Sequence, residues 1–148
     1  MSIRTELTTA NIVAFEAQFG RLHDAVIHQI HYDVFTRNRE LPEHIQLVIG
    51  AQDFSDSPNR KWVNVTIDME DIQQVIIKKA RRYQISVIFK MHFRIINDEV
   101  YLGYNMIPTA EEIAYENSAE SSTDLIVVSK RGYWSVSPYQ ERGRTTEQ

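Results

Sequence analysis

Histidine beside aspartate is the first place in this chain where side-chain chemistry could begin, at His23-Asp24. An imidazole next to a carboxylate at the entry to a strand can orient a ligand or share a metal. The pair also has a plainer use: Asp24 can accept backbone N–H groups in the turn after Gly20, while His23 bonds to backbone. One copy, with no second histidine at a fixed helical spacing, favours the turn. His28, His31 and His44 would complete a zinc site only if three or four donors converged tetrahedrally. In a straight strand His28 and His31 face opposite sides. His23 and His31 share a side but lie about 26 Å apart at roughly 3.3 Å per residue. What survives is His31 beside Asp33, and neither a metal nor a cofactor is expected.

A second cluster is cationic. Lys78, Lys79, Arg81 and Arg82 place four positive charges within five residues. They could meet phosphate or an acidic partner, with Arg60, Lys61, Lys90 and Arg94 extending the patch and Trp62 and Tyr83 stacking on bases. The net charge of −4 and pI near 5.7 oppose nucleic acid, because such binders are usually strongly basic. An acidic protein partner suits the run better. Asp53, Asp56, Asp68, Glu70 and Asp71 are carboxylates near loops, as an acid–base pair needs, but no nucleophile elbow, phosphate loop or zinc-protease helix accompanies them. The aromatics Tyr101, Tyr104, Tyr115, Tyr133, Trp134 and Tyr139 suit an interface or a sheet face equally.

These residues need elements to position them. Ile12, Phe15 and Phe19 fall three and four apart, predicting an amphipathic helix from near Ala10. Thr8 or Thr9 caps it, and Gly20 ends it in a left-handed conformation. From Ala25 the period becomes two. Val26, Ile30, Tyr32 and Val34 are assigned one face, and Ala25, Ile27, Gln29, His31 and Asp33 the other. Thr36 to Pro42 reads as a connection and Asp53 to Asn59 as an exposed loop. Ile45 to Ile49 and Val63 to Ile67 alternate as strands. Asp68 to Arg82 reads two ways. Met69, Ile72, Ile76 and Ala80 make a helical stripe, whereas Val75-Ile76-Ile77 is a β-branched run that favours a turn followed by a strand over about 72–78. A long hairpin is predicted from Ile85 to Ile95, turning at Asn97-Asp98 and returning through Val100. A capping box at Thr109 predicts a short helix, and Leu125 to Val136 predicts a closing hairpin turning at Gly132.

Residues 1–138 therefore read as one globular domain and 139–148 as a flexible tail, within the usual length of a single domain. No cysteine is present, so disulfides, thiolate zinc ligands and a thiol nucleophile are out. The opening residues predict no secretory leader. No run of about 18 apolar residues predicts a membrane span. A cytoplasmic setting is expected.

At Leu22-His23-Asp24 the chain resembles small bacterial β-rich proteins that carry a Phe/Leu-His-Asp triplet followed at once by an alternating strand. Some of these are immunity proteins of polymorphic toxin systems. The likeness covers Leu22 to about Tyr32, and loosely the order of later strands. It implies an antiparallel domain acting as a non-catalytic interaction module.

The expected fold is α+β: a mainly antiparallel sheet or sandwich of about seven to eight strands with an N-terminal helix on one face. The expected function is binding of a protein partner, a toxin under that resemblance, or self-association through a sheet edge. Candidate binding residues are His23, Asp24, His31, Lys78, Lys79, Arg81, Arg82 and Trp134. The alternatives are a small-ligand binder or enzyme using His23, Asp24 and nearby carboxylates, and a nucleic-acid accessory protein using Lys78 to Arg82.

Overall fold

A computed structural model describes residues 3–23, 25–33, 43–55, 60–77, 91–104 and 125–139. Where the sequence alternates apolar and polar residues, the chain is extended and one parity is buried. In β3 (His44–Asp53) Ile45, Leu47, Ile49 and Ala51 are buried, and in β4 (Lys61–Ile77) so are Val63, Val65, Ile67 and Met69. The two strands pair antiparallel with Ile45 opposite Met69 and Ile49 opposite Val65, so the buried parities coincide on one face. The remaining strands are β1 (Thr5–Glu6), β2 (Val26–Asp33), β5 (Met91–Ile96), β6 (Glu99–Tyr104) and β7 (Leu125–Pro138). These seven strands of the described residues join one antiparallel sheet in the order β2-β3-β4-β7-β6-β5, with β1 also on β7. The expected α+β class is the class observed.

One helix, α1 (Ile12–Gln18), lies on the core face. Seven residues cannot hold a helix in water, so its stability comes from what it buries. Phe15 packs edge-on to Phe93 at 5.3 Å between ring centroids and lies 5.0 Å from Trp134; Phe19 meets Trp134 at 5.6 Å. The helix starts later than predicted. Thr8 Oγ1 accepts from the Asn11 N–H while Asn11 Oδ1 accepts from the Thr8 N–H, so the two residues close the entry reciprocally. After Phe19 the chain makes a left-handed turn, with φ of +58° at Gly20, +55° at Arg21 and +57° at Leu22. Only the first is glycine. A left-handed residue costs about 1–2 kcal/mol, and complete burial of the Leu22 side chain returns about 1.5–3 kcal/mol.

Three predicted details change. The register of β2 on β3 shifts between Ile27 and Gln29, and this bulge at His28 reverses the parity. Ile27 is buried and Ile30 and Tyr32 still pack on the core, so the single-parity assignment of Val26 with Ile30 and Tyr32 fails. The turn expected after Asp68 is absent. β4 runs unbroken to Ile77, absorbing its irregularity in Asp71 at φ +60° and a bulge between Ile72 and Gln74. No turn occurs at Gly132 either, since β7 passes straight through it. There the missing side chain serves close packing: a Cβ would lie 3.3 Å from both Leu7 Cδ1 and Val100 Cγ1.

The Asn97-Asp98 turn is as predicted, with φ of +50° and +62°, the signs a two-residue type I′ hairpin needs. On the face away from α1, Ile126 and Val128 form a second apolar cluster with Ile76 and Tyr101. The expected connection at 36–42, most of the loop at 53–59, the start of the long hairpin at 85–90, the helix near Thr109 and the tail beyond Tyr139 lie outside the described residues. Among the described residues no helix is long and apolar enough to cross a membrane.

Candidate functional site

Two of the histidines, His31 and His44, converge through the pairing of β2 with β3. Asp33 stands directly opposite His44 across β2 and β3. His44 Nε2 lies 3.2 Å from Asp33 Oδ2, and His31 Nε2, two residues along the same strand, lies 3.1 Å from Oδ1. One carboxylate thus joins two imidazoles whose centroids are 6.4 Å apart. The group sits on the face opposite the core and is partly open to solvent. Among the described residues no group of three His, Cys, Asp or Glu side chains is arranged to hold a metal ion. His28 is apart from this group. Its bulge lodges the ring against Tyr139, at 5.6 Å between centroids, with Nε2 buried and unpartnered among the described residues.

The other candidates disperse. His23 follows the left-handed turn, exposed, with its N–H donating to the Gly20 carbonyl. Trp134 is half-buried between Phe15 and Phe19 on the core side. Asp24, Lys78, Lys79, Arg81 and Arg82 lie outside the described residues, as does Asp56. Several described carboxylates are already engaged. Asp68 accepts from Gln46 Nε2 at 3.0 Å, and Glu70 pairs with Arg4 and Arg131. Asp53 is buried, which by itself would raise its pKa. The N–H and hydroxyl of Ser55, Gln18 and the charge of Lys61 outweigh that and hold the carboxyl below its ordinary range.

A groove between α1 and β5 is the feature that residue types alone did not reveal. Its volume is about 370 Å³. One wall is the consecutive β5 residues His92 to Ile96; the other is Thr9, Ile12, Val13 and Glu16, with Arg21 also in the lining. Val13 falls off the Ile12-Phe15-Phe19 stripe and is 73% exposed, the helical signal that could have pointed here. Glu16 is half-buried. Burial raises its pKa, and the nearby Arg21 and Arg94 guanidiniums offset this only in part.

The backbone of that wall has a definite polarity. Because the turn has two residues, Ile96 and Glu99 form the closing hydrogen-bonded pair of the hairpin. By alternation Arg94 and His92 also bond to β6, which aims the N–H and C=O groups of Phe93 and Ile95 away from it. Among the described residues β5 pairs with β6 alone. The outward donors and acceptors of Phe93 and Ile95 therefore lie along a groove of mixed polar and apolar lining.

Compared with known proteins, the chain matches no family model, no curated protein and no solved structure.

Proposed function

We propose that this protein is a non-catalytic binding module that takes an extended segment of a partner protein as an added strand on β5, beneath α1. The observation that carries the reading is the five-residue wall, His92–Ile96, facing Ile12, Val13 and Glu16. Strand addition draws affinity from main-chain hydrogen bonds and specificity from pockets for alternate side chains. Phe93 and Ile95 supply the first, and the helix side of the groove supplies the second.

A foreign segment fits better than a second copy. Association of two copies would bring together two chains that each carry a net charge of −4. Like charges brought together across an interface are unfavourable. The Leu22-His23-Asp24 resemblance adds an immunity-type role, with a toxin as the partner supplying the strand. The cysteine-free composition suits a cytoplasmic setting for it.

The test is selection of short random peptides on the purified protein, followed by amide hydrogen exchange. Peptides that bind by strand addition slow exchange at the Phe93 and Ile95 amides. Selected peptides that protect neither amide would rule the reading out. Concentration-dependent light scattering checks self-association separately, and dimerisation that protects the same amides would make a second copy the occupant.

A further inference from the structure

Resting on that reading, we infer that the partner strand carries an acidic side chain between apolar ones, set to meet Arg21 and Arg94. The groove is a basic spot on an acidic protein. Against the net charge of −4, it gathers the guanidiniums of Arg21 and Arg94 around a single carboxylate, Glu16. Ile12, Val13 and Ile95 line the same space, so residues two places to either side of the acidic one meet hydrocarbon. In an added strand successive side chains alternate between faces. The acid and the apolar residues two positions to either side of it therefore point together into the groove, where the exposed Arg94 forms part of the lining. Arg21 reinforces this from a fixed place. It is the middle residue of the left-handed turn, between Gly20 against Phe54 and the buried Leu22, so its backbone is held beside the groove.

Guanidinium is suited to the task because its planar fork grips a carboxylate through two parallel hydrogen bonds. Glu16 attracts the same guanidiniums through space, but its carboxyl is half out of water. A partner carboxylate entering between the walls gives both arginines an acceptor.

The probes are short synthetic peptides of alternating threonine and valine, blocked at both ends, identical except for a central Glu, Gln or Lys. Binding is read by fluorescence anisotropy at low and high salt on the full chain. The Glu peptide should bind about two- to fivefold more tightly than the Gln peptide at low salt, with Lys weakest, and the preference should shrink as salt rises. In Arg94→Gln the Glu-to-Gln ratio should fall towards one; Arg21→Gln gives an independent reading should that variant fold poorly. Equal binding of Glu and Gln, or tighter binding of Lys, would overturn the acidic pattern and leave strand addition standing. Binding by none of the three peptides, together with unprotected Phe93 and Ile95 amides, would overturn both.

Discussion

His28 Nε2 occupies the space where a side chain at Gly50 would begin, 2.6 Å from the position of a Cβ there; Tyr139 Cε2 stands 2.8 Å from it. The histidine ring on the β2 bulge and the bare backbone of β3 therefore require each other. Gly50→Ala must push both rings aside, and overpacking of this kind costs about 1–3 kcal/mol. Urea denaturation should show that loss, and in a His28→Ala background much of it should disappear. An unchanged penalty in the double variant would place the strain elsewhere.

The hairpin turn predicts a gain. Asp98 sits at φ +62°. Relief of a left-handed residue is worth about 1–2 kcal/mol, less about 0.5–1 kcal/mol for the added freedom of glycine in the unfolded chain. Asp98→Gly should therefore raise the urea midpoint by a modest amount with the slope unchanged. A lower midpoint would mean that the Asp98 carboxylate makes a contact that matters more.

Two neighbours on α1 should separate stability from binding. Phe15→Ala empties a site packed by Phe19, Phe93 and Trp134 and should cost about 3–5 kcal/mol. Val13→Ser removes an exposed apolar residue and should stay within about 0.5 kcal/mol of wild type. The same Val13 substitution should weaken peptide binding in the groove. Thermal melts and anisotropy on both variants check the pair.

Glu16 and Asp53 should respond to pH in opposite directions. Burial raises the folded-state pKa of Glu16 above its ordinary 4.5, so the native state binds more protons than the unfolded chain in that window. Its contribution is favourable at low pH and is lost as pH rises through the folded value. Glu16→Gln should thus match wild type in acid and exceed it at neutral pH. For Asp53 the folded value lies below the ordinary 3.8, so its stabilisation is present above that value and fades as pH falls through the folded one. Asp53→Asn should therefore be less stable than wild type at neutral pH, with the gap closing in acid. Denaturation midpoints across the acidic range decide both.

The sequence was most readable where one physical cause dominates. Ile45, Leu47 and Ile49 alternate cleanly because β3 buries one face, and Ile12, Phe15 and Phe19 mark a helix for the same reason. Asn97-Asp98 announced its turn because few residues accept two positive φ values in succession. Elsewhere two causes share one signature. Gly132 is as expected of a turn as of a strand pressed beneath Leu7 and Val100, and only the neighbours decide. The His28 bulge left no mark in composition, yet it moved every later residue of β2 to the other face. The Asp33–His44 contact and the α1–β5 groove depend on which strands lie side by side, information that local periodicity does not carry.

β7 joins β4 along one side, while on the other it meets β6 through Val100↔Ser129 to Gly103↔Ile126 and then β1 at Thr5↔Trp134. Folding is therefore ordered in time. During synthesis the β2-β3-β4 meander and the β5-β6 hairpin can each form from nearby residues, but among the described strands the one that joins them follows all the others. Until then β4 and β6 each lack a strand neighbour, and β1 lacks the strand it pairs with. Such distant pairing slows folding and prolongs exposure of those edges. A nascent chain halted before Leu125 would hold two separate pieces of sheet and no closed core.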